Sequence, residues 1–246
     1  MLENRSTSRL WTKALTKRYG SRSVVSGVDI AITSGSVVGL LGPNGAGKTT
    51  TFYMVVGLAQ PDNGQVFLGD EEITALPMYQ RARRGISYLP QEASVFRKLT
   101  VADNLMAIFE TVEADKNVRR QKMEQLLEEF SITHISSSMG YALSGGERRR
   151  VEIARSLITN PSFILLDEPF AGIDPIAVAD IQGLIVALKN KNIGVLISDH
   201  NVRETLGVCD SAYIMNSGEV LEFGTPDEIA MSKKAQEIYL GKDFRL

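Results

Sequence analysis

Gly42 to Thr49 reads G-P-N-G-A-G-K-T, a loop whose glycines, lysine and hydroxyl stand at the spacing of G-x-x-x-x-G-K-[ST]. Glycines at Gly42, Gly45 and Gly47, with Pro43, Asn44 and Ala46 between them, let the backbone curl so that successive N–H groups converge on phosphate oxygens. A helix opening near Lys48 adds its dipole, and the Lys48 ammonium adds a mobile positive charge directed at the β- and γ-phosphates. Thr49 offers a hydroxyl to Mg²⁺, and Thr50, one residue deeper, reaches toward the α-phosphate. These residues predict a site for ATP with its magnesium ion.

A second group supplies what hydrolysis would need. Phe163 to Glu168 is an apolar run ending in two carboxylates. Asp167 suits a hard cation held partly through water, and Glu168 suits the orientation and polarisation of an attacking water. Gln91, in Y-L-P-Q-E, carries a donor and an acceptor that metal and water can share, and His200, in I-S-D-H, can hydrogen-bond a γ-phosphate. His134 and Trp11 are read as structural residues.

These groups need a scaffold that brings strand ends together. Val37–Leu41, Ile86–Leu89, Phe163–Leu166, Val195–Ser198 and Ala212–Met215 are short, apolar and closely followed by turn residues, the pattern of strands buried on both faces. Helical patterns follow several of them, which predicts an α/β fold with a mostly parallel sheet and ligands at the carboxyl ends of its strands. From about residue 100 to 142 the chain is charged and helical, with Met123, Leu126, Leu127 and Phe130 on one face, and reads as a helical subdomain. Alternating segments before the first core strand and at Gln65–Leu68 predict a small antiparallel sheet. Asn216-Ser217-Gly218 predicts a hairpin.

No linker rich in Pro, Gly or Ser divides the 246 residues, so they are expected to form one domain, with a tail from about residue 225. A net charge of −2 excludes a global attraction to nucleic acid. The basic runs at 81–84 and 148–150 are accordingly read as solvated faces or partner contacts. Cys209 is the one cysteine, too few for a disulfide or a multi-cysteine metal site, and reads as a small buried apolar residue. The N-terminus, Met1–Thr16, lacks the apolar segment of a secretory signal, and no apolar run approaches the roughly 20 residues of a membrane span. The expected location is cytoplasmic, with any membrane role exercised through partners.

Leu143-Ser144-Gly145-Gly146-Glu147 leads into a basic helical run. Ser144 and Glu147 fit a capping box, and a capped helix start with two glycines is also a γ-phosphate receptor. The pentapeptide resembles the signature of the ABC ATPase family. That resemblance implies a P-loop NTPase (RecA-like) core with a small antiparallel β subdomain and a helical subdomain. It also implies a head-to-tail homodimer with each ATP held between one P-loop and the other subunit's Ser144, Gly145 and Gly146. Ala171-Gly172-Ile173-Asp174 sits where the family carries a loop crossing that interface, and Tyr19, 29 positions before Lys48, sits where it places an aromatic against adenine.

Longer stretches narrow the resemblance to the lipopolysaccharide-exporting branch: G-L-L-G-P-N-G-A-G-K-T-T-T-F-Y-M-V-V-G from Gly39, R-A-R-R-G-I-S-Y-L-P-Q-E-A-S from Arg81, D-H-N-V-R-E-T-L from Asp199 and the tail Y-L-G-K-D-F-R-L. The resemblance implies transmembrane partners like LptF and LptG, with LptC, and a docking groove after Gln91 that includes Phe96 and Arg97. Import of branched-chain amino acids and a soluble ATPase of iron–sulfur cluster assembly stand as alternatives. The segment from Glu110 to Arg120 matches least and receives no role.

Overall fold

The computed structural model describes residues 8–241, 244 and 246. Met1–Thr7 of the polar N-terminus, and Lys242, Asp243 and Arg245 of the distinctive tail, lie outside the described residues. In chain order, β1 (Arg9–Tyr19), β2 (Arg22–Val28) and β3 (Ala31–Thr33) precede β4 (Val37–Leu41), which runs through the glycine-rich loop into α1 (Lys48–Val56). Then come β5 (Asn63–Leu68), β6 (Glu71–Glu72), α2 (Met78–Arg83), β7 (Ile86–Leu89), α3 (Val101–Val112), α4 (Lys116–Glu129) and α5 (Gly145–Leu157). The second half continues with β8 (Phe163–Asp167), α6 (Pro175–Asn190), β9 (Gly194–Ser198), α7 (Val202–Leu206), β10 (Ser211–Asn216), β11 (Glu219–Gly224) and α8 (Pro226–Met231). A short α9 (Lys233–Ala235) passes into a π-helical turn, Gln236–Leu240.

The central sheet has six strands in the order β11-β10-β4-β9-β8-β7, parallel except for the β10–β11 hairpin. Because side chains alternate along a strand, each strand feeds two cores. Val37, Ile164, Leu166, Val195 and Ile197 join residues of α5, α6 and the helical segment in one cluster. Val38, Leu40, Leu165 and Leu196 join Phe52, Met54, Val55 and Val56 of α1 and the inner face of the antiparallel sheet in another. α1 is thus fixed beneath the glycine-rich loop by four large side chains that are essentially inaccessible, each worth about 1.5–3 kcal/mol of burial.

The antiparallel sheet, β2-β1-β5-β6 with β3 on β1, occupies the region expected of it, and Trp11 stacks on Phe67 within it at 4.2 Å. α3 and α4 account for the charged helical region: Leu127 and Phe130 are buried, and Met123 and Leu126 pack against the same cluster. The β10–β11 turn holds Ser217 at φ +50° and Gly218 at φ +87°, the left-handed pair that a two-residue hairpin requires. Cys209 is buried, and burial pushes its thiol pKa up.

Arg81 corrects the reading of the first basic run. Its side chain is wholly buried, and its guanidinium donates to the carbonyls of Met54 and Val55 at 2.7 Å, of Leu76 at 2.8 Å and of Thr74 at 2.8 Å. It closes the carboxyl end of α1, where a cation complements the helix dipole. Gly57, at φ +83°, leaves room for it, since a Cβ there would lie 2.8 Å from the Arg81 Nε.

Candidate functional site

The glycine-rich loop is shaped by close packing. Gly42 has φ +146°, and a Cβ on it would meet the Met215 carbonyl oxygen at 2.2 Å; on Gly47 it would meet the Val24 oxygen at 2.6 Å. α1 starts from Gly47 in a left-handed conformation with no side chain capping it. By contrast α3, α5 and α6 are capped by Thr100, Ser144 and Asp174. The N–H groups of the first turn of α1, at Lys48, Thr49 and Thr50, are the donors a helix leaves for an anion. Lys48 donates from Nζ to the carbonyls of Gly42 at 2.7 Å and Pro43 at 3.1 Å. Burial lowers its pKa, while Glu168, Asp167 and Asp199 pull it upward.

Those carboxylates stand on neighbouring strand ends. Asp167 ends β8 opposite Ser198 of β9, and Glu168 follows with φ +45°, a left-handed backbone that a residue with a Cβ seldom adopts. Its N–H donates to the Ser198 carbonyl at 2.6 Å. Its carboxylate is held from two sides: Gln91 Nε2 donates to Oε2 at 2.6 Å, and His200 Nδ1 lies 3.4 Å from the same oxygen. Gln91, Glu168 and His200, taken from three separate segments of sequence, therefore share one point in space.

Asp167 is buried, which raises its pKa to about 6, with Glu168 and Asp199 adding to the rise. The Tyr88 hydroxyl opposes that rise by donating to Oδ2 at 3.3 Å. Burial pushes the Tyr88 pKa up as well, which keeps it a donor. Among the described residues no group of three His, Cys, Asp or Glu side chains is arranged to hold a metal unaided. The oxygen donors at hand, the Thr49 hydroxyl, the Gln91 amide and the Asp167 carboxylate, fit a hard cation that completes its shell with phosphate and water.

Three contributors escaped sequence reading. Tyr88 is one. Asp199, wholly buried, accepts the N–H of Phe170 at 3.0 Å and of Asn201 at 2.8 Å, so it ties the chain after Glu168 to the loop carrying His200. Arg149 corrects the reading of the second basic run: it is buried, donating to the Pro90 carbonyl at 3.1 Å and the Asp167 carbonyl at 3.2 Å and pairing with Glu152 at 3.3 Å. Position on the helix after Ser144 was the available signal, because three consecutive residues of a helix point about 100° apart and cannot all face water on a helix packed against a core.

Ser144 caps α5 through a complete capping box, its Oγ accepting from the Glu147 N–H while its own N–H and hydroxyl donate to Glu147 Oε2 at 2.8 and 2.7 Å. Gly146 is pressed against α6, where a Cβ would lie 2.9 Å from that of Ala177, and Gly145 faces the Gly172 carbonyl. No hydrogen bond or ion pair among the described residues joins Ser144, Gly145 or Gly146 to the glycine-rich loop. Tyr19 stands at the end of β1, 54% exposed, with Lys17 Nζ 5.6 Å from its ring centre. Phe96 is exposed beneath the Arg155 guanidinium at 4.9 Å, and Arg97 lines a cleft with Val95, Tyr141 and Arg148. No helix among the described residues is long and apolar enough to cross a membrane.

Residues 25–171 match the family model described as ABC transporter. The chain is 56% identical over 240 residues to the lipopolysaccharide export system ATP-binding protein LptB of Haemophilus influenzae, covering 97% of this chain and all of the relative. It is 56% identical over 238 residues to the protein of that name from Escherichia coli K12, covering 96% and 99%. A probable ABC transporter ATP-binding protein of Azorhizobium caulinodans is 57% identical over 232 residues, covering 94% and 83%. Among solved structures, the ADP conformation of MJ1267, an ATP-binding cassette of an ABC transporter, superposes with a TM-score of 0.85 at 28% identity, covering 96% of this chain and 99% of that one.

Proposed function

The chain belongs to the ABC transporter ATP-binding family, and from that premise we propose that it is the ATP-hydrolysing subunit of a lipopolysaccharide exporter, seated on the cytoplasmic face of the inner membrane. Identity of 56% along nearly the whole of the LptB proteins of two genera supports the cargo. For the chemistry, the supporting observation is the placement of Gln91 and His200 on the single oxygen Glu168 Oε2.

In this reading the backbone from Gly42 to Thr50 and the Lys48 ammonium hold the phosphates, and Tyr19 carries the adenine ring. Thr49, Gln91 and Asp167 would hold Mg²⁺, which when bound neutralises charge on the β- and γ-phosphate oxygens. Glu168 orients water in line with the γ-phosphorus and accepts its proton as the new P–O bond forms and the bond to the bridging oxygen breaks, releasing ADP and phosphate. His200 hydrogen-bonds the γ-phosphate. Ser144, Gly145 and Gly146 serve the nucleotide of a second copy, because α5 packs on the opposite core from α1. Phe96 and Arg97 contact transmembrane partners resembling LptF and LptG, accompanied by LptC.

Affinity purification from membranes, followed by identification of what is retained, tests the reading. Two multi-spanning subunits and a single-span protein are expected. Recovery of soluble proteins alone overturns the transport assignment in favour of an assembly ATPase.

A further inference from the structure

β1 and β2 form a hairpin in which Tyr19 and Arg22 are direct cross-strand partners, so their side chains leave the ribbon on the same face. The Arg22 guanidinium crosses to the glycine-rich loop: its Nη2 lies 3.7 Å from where a Cβ on Gly45 would stand. Between them is an open cavity of about 350 Å³, lined by Arg22 to Val24, the loop from Pro43 to Ala46, and Asn216 and Ser217 of the β10–β11 turn. Backbone bonds fix its walls, with the Gly218 N–H donating to the Ala46 carbonyl at 3.0 Å and the Ser26 N–H to the Gly218 carbonyl at 2.8 Å.

Arg22 is exposed and, among the described residues, its side chain makes no hydrogen bond or ion pair. Two cations of the adjoining β1 differ: Lys17 pairs with Asp62 at 2.8 Å, and Arg18 donates to the Ser21 carbonyl. A guanidinium is a planar fork that matches phosphate oxygens and sugar hydroxyls. A nucleotide with its base on Tyr19 and its terminal phosphates at Lys48 must carry its sugar and first phosphate past Arg22.

We infer that Arg22 is a nucleotide-binding residue that grips the ribose–α-phosphate segment of the nucleotide seated in the Gly42–Thr50 loop. The inference rests on the nucleotide reading proposed above. It gives Arg22 a charge-assisted contact common to ATP and ADP, outside the reach of the groups that act on the γ-phosphate.

The test is calorimetric titration of the full chain with Mg-ADP and with a non-hydrolysable Mg-ATP analogue. Arg22→Ala is expected to weaken both by about tenfold and by similar factors, Arg22→Lys to weaken both less, and 0.5 M salt to narrow the gap from wild type, as for an exposed charge. The melting temperature of the nucleotide-free Arg22→Ala chain is expected to equal that of wild type. Affinities within twofold of wild type for both ligands overturn the inference, as does a loss confined to the triphosphate. A wild-type chain that binds neither ligand overturns the nucleotide reading itself, which separates the two failures.

Discussion

Gln91 and His200 approach the same carboxylate oxygen of Glu168, the amide at 2.6 Å and the imidazole at 3.4 Å. The group proposed as base therefore has its orientation set by two residues remote from it in sequence. One of them, Gln91, leads into the segment bearing Phe96 and Arg97, so movement at that surface has a short route to the base.

Glu168→Gln keeps the shape of the side chain and one oxygen able to accept the Gln91 amide, but it cannot take up a proton as a carboxylate does. ATP binding is expected to persist while turnover falls about 10²–10⁴-fold. Measurement of nucleotide affinity beside steady-state hydrolysis checks it; hydrolysis at the wild-type rate removes Glu168 from the role of base.

Acid should weaken magnesium–nucleotide binding through Asp167. Its pKa stands at about 6, above the ordinary 3.8, so the carboxyl gains its proton as pH falls through about 6 and a cation must then displace it. Affinity is expected to be level above about pH 7 and to fall by up to about tenfold per unit well below pH 6. Tyr88→Phe deletes the hydrogen bond that lowers this pKa, so the acid limb should move toward neutral pH. Titrations of magnesium-dependent nucleotide binding across pH 5–8 decide it, and an unmoved limb denies Tyr88 that influence.

Replacing Arg81 should damage stability more than any exposed arginine. Arg81→Met strands the carbonyls of Thr74, Leu76, Met54 and Val55 in a buried position, at an expected cost of about 3–5 kcal/mol. Arg81→Lys should recover little, because an ammonium cannot span the same fork. Urea unfolding measures both against Arg120→Ala, whose exposed pair with Glu124 is expected to be worth no more than about 0.5 kcal/mol.

Composite sites predict complementation. Lys48→Ala and Ser144→Ala homodimers should each be inactive, whereas a mixed dimer concentrates both lesions in one site and leaves the other intact. Mixed preparations are expected to regain a measurable share of ATPase activity; none would mean that each subunit completes its own site.

Much of this architecture could be read from local pattern. The five core strands, the glycine-rich loop and the Ser217–Gly218 turn each depend on neighbours within a few positions, and short-range chemistry is written plainly in sequence. Arg81 and Arg149 escape the sequence because most of their partners are backbone carbonyls, several of them supplied by other elements, and a carbonyl has no letter. A charged run looks the same whether its members face water or plug the end of a helix. Tyr88 and Asp199 were hidden for a related reason: each acts on a residue brought beside it by strand order, β7 against β8 and β8 against β9.

Arg149 belongs to the helix that Ser144 begins, yet its Nη1 and Nη2 reach the carbonyls of Pro90 and Asp167. For protein engineering this sets the smallest transferable unit. A signature helix moved into another cassette would carry Glu152, the ion-pair partner of Arg149, but without matching acceptors at those two places it would leave buried guanidinium N–H groups unsatisfied, so the helix, the Gln91 loop and the end of β8 have to be exchanged as one piece.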